Sequence, residues 1–538
     1  MDYDYIIAGG GTAACVAATR LVRDHGARVL IVERGPARTN WLMQMPAGYM
    51  KYLAREDFLE MHHTVPQEQL DGRAPIIPQA KALGGGSAVN AMVYMRGQRA
   101  DYDGWDEFLG GDSGWSYDDV LPHFKSLERN TKFNDEFHGI EGGLWVSDPG
   151  HTAEMTDAFV LAVQGCGIPY NPDFNGSKQS GVGLMQNTIG HQERCDAVRA
   201  FLSQVRNDPN LDVITDALVT RIITENGRAV GIEYTKSGES KTVRTEGEVL
   251  VAAGTYNTAK LLMLSGIGPA DHLKEHGIKC KTDLPGVGEN LQDHHEVPLI
   301  CAMNKAAGYF KQDRGWRMIR NGLQYLGFRS GPVTTIGVEA CAFHDPDGGA
   351  RPTIQLYCAP IVYMDRDFTD LKPTHGVTLT SCLLRPKARG SVKLRSADPR
   401  DKPLVDCRFF GHPEDLRITL DAVRFARKVL STEPAASLIK GEMLPGREIE
   451  DDEGLAAYSK RMVKTNYHPV GTARMGKDDD PMSVVDKELK VRGVEGLRVI
   501  DCSAMPLIPS GNTNAPAMAL ADRAVAIIKK GSNRPANL

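Results

Sequence analysis

The sequence of 538 residues predicts an α/β protein with two parts, and two patterns carry this prediction. Short apolar segments followed by a glycine turn and a helix occur at the start, in the middle and at the end of the chain, which is typical of a parallel sheet assembled from discontinuous segments. Residues 296–470 contain alternating apolar and polar stretches, for example residues 390–395, which favour an antiparallel sheet with one solvent-exposed face. The length also exceeds what a single hydrophobic core supports.

The parallel sheet is predicted to begin with the first residues of the chain. Residues 5–8 indicate a buried strand that a glycine triplet ends, residues 12–25 an alanine-rich helix, and residues 29–32 a second strand. The order of strand, turn and helix recurs at 249–264 and again at 497–529. We therefore expect these three regions to belong to one sheet with helices packed on it.

The first βαβ unit carries a dinucleotide fingerprint. Gly9 permits a tight turn, Gly11 lets the backbone approach a pyrophosphate at the helix N-terminus, and the small Ala14 lets the helix pack closely on the strand. Glu33 ends the second strand, where an acidic residue accepts hydrogen bonds from a ribose. The pattern predicts a dinucleotide without distinguishing FAD from NAD, and Glu33 disfavours the 2′-phosphate of NADP.

Composition and charge exclude several classes of protein. Hydrophobic residues make up 41% and charged residues 24% of the chain, and the net charge is −5, so we expect no nucleic-acid partner and no polybasic membrane patch. No apolar run reaches the roughly 18 residues of a membrane span. Ten scattered cysteines and an acidic N-terminus favour a cytoplasmic location. His294 and His295 are adjacent, but no third ligand follows at a suitable spacing, so we predict a structural role for them and no metal site.

A second glycine-rich loop at residues 81–90 is one of several segments that resemble a known family. It contains three consecutive glycines, which permit close approach to a flat ring or a phosphate. Residues 80–103, 254–268, 286–294 and 501–506 resemble segments of the glucose-methanol-choline (GMC) oxidoreductases, and the resemblance spans nearly the whole chain. Ala259 departs from the family, which usually has Pro or Ser there, and we expect this to affect only the start of a helix.

The resemblance implies a Rossmann-like FAD-binding domain and bound FAD. Gly9, Gly11 and Glu33 would hold the adenosine diphosphate half, and Val219 would face the adenine. The other implied cofactor-binding residues are Gly86, Asn90 and Val93 along the isoalloxazine and ribityl, Asp501 near the ribityl and pyrophosphate, and Thr12, Ala13 and Thr513. Some members attach FAD covalently through a histidine in the second glycine loop. This chain has Val89 at that position, so we expect non-covalent FAD.

Two further segments, residues 466–472 and 510–516, resemble the active site of the family and supply His468 and Asn512. A neutral imidazole can take the hydroxyl proton of an alcohol, and an amide can donate a hydrogen bond to the developing alkoxide. The resemblance implies oxidation of an alcohol, expected to be primary, to an aldehyde, with hydride passing to flavin N5. We expect an FAD-binding domain at 1–150, 191–295 and 471–538, and a substrate-binding domain at 151–190 and 296–470 that covers the flavin.

Several alternatives stay open at this point. An FAD-containing lyase of the cyanohydrin type or a non-catalytic flavoprotein would share the fold. The electron acceptor is oxygen or another molecule, and the oligomeric state is open. A choline-like, an aromatic or an aliphatic alcohol each fits the sequence, and Tyr357, Tyr363 and Tyr467 are candidates to line an aryl pocket.

Overall fold

The structure is a computed structural model that describes residues 3–37, 40–52, 55–363 and 371–531. Its strands are β1 Tyr3–Ala8, β2 Val29–Val32, β3 Leu59–His63, β4 Ile76–Ala80, β5 Glu128–Asn130, β6 Leu144–Val146, β7 Gly181–Leu184, β8 Ile189–Gly190, β9 Glu193–Arg194, β10 Leu211–Ile214, β11 Ala217–Glu225, β12 Arg228–Lys236, β13 Glu239–Val251, β14 Ile267–Gly268, β15 Thr282–Asp283, β16 His295–Met303, β17 Ala340–His344, β18 Ile354–Ala359, β19 Gly376–Leu383, β20 Ser391–Lys393, β21 Leu404–Asp406, β22 Ile439–Leu444, β23 Lys464–Thr465 and β24 Leu497–Val499. Its α-helices are α1 Thr12–His25, α2 Gly86–Val89, α3 Arg99–Phe108, α4 Tyr117–Leu127, α5 Glu154–Gly165, α6 Ala197–Ala200, α7 Thr255–Leu264, α8 Ala270–Glu275, α9 Gly315–Phe328, α10 Pro413–Leu430, α11 Asp452–Met462 and α12 Asn514–Gly531.

A mixed sheet forms one half of the molecule. Its parallel strands follow the order β10, β2, β1, β13 and β24, and β11 and β12 extend it as an antiparallel ribbon on the first part of β13. All of β2 and β24 and the last three residues of β1 and β13 are buried. Continuous apolar strands of this kind are typical of parallel sheets covered on both faces. The prediction that the start, middle and end of the chain share one sheet is confirmed.

The first and last helices pack against each other beside this sheet. The alanines of α1 give it a narrow profile, so α12 approaches it closely, and Arg20 Nε donates to Asp522 Oδ1 at 2.5 Å between the two helices. This contact ties the C-terminal segment to the first βαβ unit. The parallel strands β1, β2, β13 and β24 all end at the same edge, where ligands bind in sheets of this type.

An antiparallel sheet forms the other half, in the order β22, β16, β19, β18, β17 and β7, with β23 beside β16. Helix α10 packs on one face. The prediction of a solvent-exposed face is wrong, because all eight residues of β19 and all six of β18 are buried. The second face of the sheet forms a wall of the cavity described below. Residues 390–395 also lie elsewhere, since β20 pairs with β21 in a separate two-stranded sheet.

The strands of the mixed sheet come from the three segments predicted for the FAD-binding domain, and those of the antiparallel sheet from the predicted substrate-binding segments, apart from the boundary residue His295. The exact domain boundaries stay a prediction. Within the described ranges, no helix combines the length and apolar character that crossing a bilayer requires.

Candidate active site

One cavity lies between the carboxyl edge of the mixed sheet and the inner face of the antiparallel sheet. Its lining brings together every residue that the sequence singles out as a site residue: Gly9, Gly11, Thr12, Ala13, Glu33, Gly86, Asn90, Val93, Val219, His468, Asp501, Asn512 and Thr513. The three candidate tyrosines, Tyr357, Tyr363 and Tyr467, also line this cavity. Residues separated by hundreds of positions therefore share one site.

The first glycine turn has a geometry that only glycine supplies. Gly9 has φ of +101°, and a Cβ atom there would lie 2.4 Å from the carbonyl oxygen of Ala252, which directly follows the neighbouring strand β13. The turn directs the N-terminus of α1 towards the cavity, which Gly11, Thr12 and Ala13 line. Exposed N–H groups and the helix dipole at this point favour an anion.

Glu33 lies beside this turn and is almost fully buried. Its Oε2 accepts from the N–H of Gly10 at 2.7 Å, and its Oε1 accepts from the N–H of Gly35 at 2.7 Å. Burial raises the pKa of the carboxyl, and the two backbone donors oppose that shift. Each carboxylate oxygen has a second lone pair, so the side chain can still accept from a ribose hydroxyl in the cavity.

The second glycine loop packs directly on the first. The N–H of Gly84 donates to the carbonyl of Gly10 at 2.8 Å, and the N–H of Ser87 donates to Thr12 Oγ at 3.3 Å. A Cβ atom at Gly86 would meet no atom within 4 Å, because this position opens onto the cavity. The two loops therefore form one continuous glycine-lined wall.

A buried arginine supports the second loop, and the sequence did not mark it. Arg194 donates through Nη1 to Asn90 Oδ1 and through Nη2 to the Asn90 carbonyl, both at 2.8 Å. Burial lowers the pKa of Arg194 to about 10, which leaves it charged at neutral pH. It lies 104 positions from Asn90, and no local motif surrounds it.

Asp501, which follows β24, links the end of that strand to the residues after β13. Its Oδ2 accepts from the N–H of Gly254 at 2.8 Å and from the hydroxyl of Thr258 at 2.7 Å. This bridge holds the residues after β13 against those after β24. A Cβ atom at Gly254 would also meet no atom within 4 Å, so the turn leaves room on the cavity side.

His468 is the central polar group on the substrate side. Its Nε2 lies 3.1 Å from Asn512 Nδ2, and its Nδ1 lies 3.0 Å from Nδ1 of His294. His294 Nε2 lies 2.9 Å from the carbonyl oxygen of Leu384, and that oxygen can only accept. His294 therefore carries its proton on Nε2 and accepts on Nδ1. His468 in turn carries its proton on Nδ1, which leaves the Nε2 lone pair directed at the Asn512 amide.

Burial keeps both imidazoles neutral. It lowers the pKa of His294 to about 4, and burial followed by the charge of a protonated His294 lowers the pKa of His468 well below 6.5. Asp293 holds the loop that carries His468, accepting from its N–H at 2.9 Å and from the Thr465 hydroxyl at 2.6 Å. Burial raises the pKa of Asp293 to about 7.

A second layer of side chains surrounds Asn512. The Tyr357 hydroxyl lies 3.2 Å from Asn512 Oδ1 and 2.8 Å from Gln355 Oε1, and it accepts from Asn466 Nδ2 at 3.3 Å. Because its proton is shared between two oxygens, Tyr357 favours the amide orientation in which Asn512 presents Nδ2 to the histidine.

The wall also contains a buried ion pair between Lys464 and Glu296, which face each other on β23 and β16. The Lys464 ammonium lies 5.0 Å from the ring centroid of Tyr363 and 5.7 Å from that of Tyr467. Neither member is apparent from the local sequence, because their contact depends on pairing strands 168 positions apart. The sequence predicts a structural role for His294, and the structure places that residue against His468.

Comparison with known proteins decides the family. The GMC oxidoreductase N-terminal model matches residues 3–296, and the GMC oxidoreductase C-terminal model matches residues 386–521. The chain belongs to the GMC oxidoreductase family. This GMC oxidoreductase is 40% identical over 535 residues to the alcohol dehydrogenase [acceptor] of Pseudomonas putida, which covers 98% of this chain and 95% of that protein. It is 36% identical over 525 residues to the oxygen-dependent choline dehydrogenase of Brucella anthropi, covering 97% and 95% of the two chains.

Solved structures of similar shape cover almost the entire chain. Pyridoxine 4-oxidase from Mesorbium loti has a TM-score of 0.90 at 27% identity and covers 99% of this chain and 100% of its own. Formate oxidase from Aspergillus oryzae has a TM-score of 0.91 at 26% identity, with 98% of each chain covered. The GMC oxidoreductase described here is an FAD-dependent enzyme that acts on the CH–OH group of alcohols.

The cavity fits FAD. Gly86 and Gly254 leave open space where other residues would place a side chain, and a Cβ atom at Gly11 would meet nothing closer than 3.7 Å. The helix N-terminus suits the pyrophosphate, and Glu33 suits the ribose. Among the described residues, no group of three or more His, Cys, Asp or Glu side chains could hold a metal ion.

Proposed function

We propose that this GMC oxidoreductase converts a primary alcohol to the aldehyde, with His468 as the base and Asn512 as the hydrogen-bond donor to the alcohol oxygen. One observation carries the proposal: the unprotonated Nε2 of His468 and the Nδ2 of Asn512 face each other at 3.1 Å in the wall of the cavity. A substrate hydroxyl that replaces their mutual hydrogen bond meets a proton acceptor in His468 and a donor in Asn512.

Each side chain has a distinct part in the reaction. His468 Nε2 takes the hydroxyl proton and becomes an imidazolium, whose Nδ1 proton stays hydrogen-bonded to His294. Asn512 Nδ2 donates to the oxygen as negative charge develops on it, and a single donor of this kind in a dry site contributes about 10²- to 10³-fold in rate. Bound FAD supplies the redox chemistry by accepting the hydrogen and the electron pair that leave the carbinol carbon.

The binding wall for FAD consists of the two glycine loops, Glu33 and Asp501. Val89, at the position where some relatives attach the cofactor, has no nucleophilic atom, so the same proposal includes FAD that dissociates on denaturation. Oxygen or another acceptor reoxidises the enzyme. Anaerobic reduction followed by admission of air, with a hydrogen peroxide assay, distinguishes the two.

Replacement of His468 by alanine tests the base. We expect the rate of anaerobic flavin reduction by a panel of primary alcohols to fall about 10²- to 10⁴-fold, with flavin content unchanged. His63→Ala is the matched control, because His63 is an exposed histidine on β3 outside the cavity lining. An unchanged reduction rate in His468→Ala would remove the histidine from the mechanism. Cleavage of a cyanohydrin without flavin bleaching by any alcohol would support the lyase alternative instead.

A further inference from the structure

Helix α9, Gly315–Phe328, exposes an unusual amount of apolar surface. Eleven large apolar side chains are exposed in the described residues, and six of them lie on this single helix of 14 residues, each between 49% and 82% exposed. The six are Trp316, Met318, Ile319, Leu323, Leu326 and Phe328. Scattered apolar residues on a surface need no explanation, but a concentrated patch marks an interaction site.

The helix is attached by its polar edge. Asn321 Nδ2 donates to the Gln312 carbonyl at 3.0 Å, and the Tyr325 hydroxyl donates to the Gln192 carbonyl at 3.0 Å. Asn321 and Tyr325 are each only 2% exposed.

The apolar stripe lies on the opposite side of the helix. Trp316, Ile319, Leu323 and Leu326 follow the spacing i, i+3, i+7 and i+10, which places them on one face. At about 100° per residue, that face lies roughly opposite the two buried residues. A surface helix normally turns its apolar stripe to the core, whereas α9 turns it to solvent.

The charges around this stripe select the partner. Residues 311–329 contain five basic residues, Lys311, Arg314, Arg317, Arg320 and Arg329, and the single acid Asp313, in a chain whose net charge is −5. Arg329 pairs with Glu193 at 2.9 Å, so the excess of positive charge rests on the other four. The overall charge balance predicts no polybasic patch, but a sum over 538 residues does not show where positive charge is concentrated. Two copies docked through α9 would bring these cations together, whereas anionic lipid headgroups would neutralise them.

We propose that α9 seats the enzyme on the surface of an anionic lipid membrane. A helix of 14 residues spans about 21 Å, less than the roughly 30 Å hydrocarbon core, so it lies along the surface and does not cross it. Its bulky apolar side chains enter the boundary between headgroups and acyl chains, and the arginines meet the lipid phosphates.

Helix α9, which carries the proposed membrane contact, lies next to the segments that form the substrate side of the cavity. Helix α9 contacts the 3₁₀ turn Pro332–Thr334, which leads directly to the cavity residues Gly337 and Val338. The turn Pro46–Lys51, which supplies Tyr49 and Met50 to the cavity, packs on the same segment. The proposed membrane contact and the substrate wall are therefore neighbours in the fold.

Co-sedimentation of the holoenzyme with vesicles tests the proposal without using catalysis. We expect binding to phosphatidylcholine vesicles that contain phosphatidylglycerol, weaker binding to phosphatidylcholine alone, and a loss of affinity as salt rises. The double variant Leu323→Gln and Leu326→Gln should bind at least about tenfold more weakly, because two apolar anchors are removed while helix propensity is kept. Leu161→Gln, at a leucine 54% exposed on α5, should bind as the wild type does.

Three results would overturn the proposal. The first is absence of binding to the anionic vesicles, and the second is unchanged binding by the double variant. The third is a wild-type dimer in sedimentation velocity that the double variant dissociates, since the stripe would then join two copies. If the double variant fails to fold, Arg317→Gln with Arg320→Gln replaces it, and this pair should abolish the preference for anionic lipid. An unchanged preference counts against the proposal.

Discussion

His294 and His468 meet through their Nδ1 atoms at 3.0 Å, with their rings 89° apart. Two N–H groups cannot face each other at this distance, so one nitrogen must accept. The Leu384 carbonyl settles which one, because it takes the Nε2 proton of His294. His294 is thus a positioning residue that fixes the tautomer of His468.

The pH dependence of the reaction follows from the buried position of His468. The base must be neutral, and a pKa lowered well below 6.5 extends the neutral form to the acid side. We therefore expect kcat/KM to stay level from neutral pH down through 6.5 and to fall only at lower pH. Anaerobic flavin reduction measured across pH checks this, and an acid limb centred above pH 6.5 would contradict it.

Removal of His294 should shift both the rate and the pH profile. Without it, water reaches Nδ1 of His468, the tautomer is no longer fixed, and the pKa of His468 rises towards its ordinary value. We expect His294→Ala to reduce flavin about 10- to 100-fold more slowly, with the acid limb moved to higher pH.

His295→Ala is the matched control for that variant. His295 is equally buried, but it packs on Phe409 and Phe410 and not on His468. Its loss should lower stability by leaving a cavity and leave the acid limb in place. If both variants shift the limb equally, the effect is general loosening of the site and not a direct contact.

Local sequence predicted the first glycine turn with Glu33 beside it, but not the contacts around His468, for a physical reason. Gly9, Gly11 and Glu33 belong to one βαβ unit, where the order of residues alone determines the turn, the helix start and the strand end. The contact between His294 and His468 spans 174 positions and exists only once the strands have paired. The arginine behind Asn90 and the ion pair on β16 and β23 are likewise products of tertiary packing.

The antiparallel sheet shows the same limit. The alternation of apolar and polar residues predicted a solvent-exposed face. In the structure that face lines the cavity, and the half of the molecule built on the mixed sheet covers it. The inner face of the antiparallel sheet therefore carries Tyr357 and Glu296 in buried positions. The pattern of a strand cannot reveal whether its polar face meets solvent or an enclosed site.

Asn512 should act through its amide donor. Asn512→Asp keeps the size of the side chain and replaces the donor by a carboxylate, which repels a developing alkoxide and stabilises a protonated His468. We expect flavin reduction to slow about 10²- to 10³-fold and the acid limb to move to higher pH. Tyr357→Phe, which removes only the hydroxyl near Asn512 Oδ1, should have a much smaller effect. A rate in Asn512→Asp within a few-fold of wild type would show that the donor is dispensable.

The open space beside Gly86 predicts a variant that loses cofactor and keeps the fold. A valine there would project into the cavity and meet no protein atom within 4 Å of its Cβ, so it should displace FAD and little else. We expect purified Gly86→Val to contain little flavin, measured by its visible absorbance. Gly104→Val is the control, because a Cβ at Gly104 on α3 also meets no atom within 4 Å but lies outside the cavity lining. Full flavin content in Gly86→Val would place the cofactor elsewhere.

The ion pair of Lys464 and Glu296 predicts that the substrate carries no positive charge, unlike choline. Its carboxylate is already neutralised, so a quaternary ammonium in the cavity would meet an ammonium and no uncompensated anion. Titrations of the oxidised holoenzyme, followed by flavin absorbance, should show 3,3-dimethylbutan-1-ol, the uncharged shape analogue of choline, binding at least about tenfold more tightly than choline. Lys464→Met removes the ammonium beside the carboxylate, and choline should then bind more tightly than the analogue. The double variant Lys464→Met with Glu296→Gln removes both charges and should again prefer the analogue. Equal affinity of the wild type for the two ligands would mean that this pair does not face the substrate.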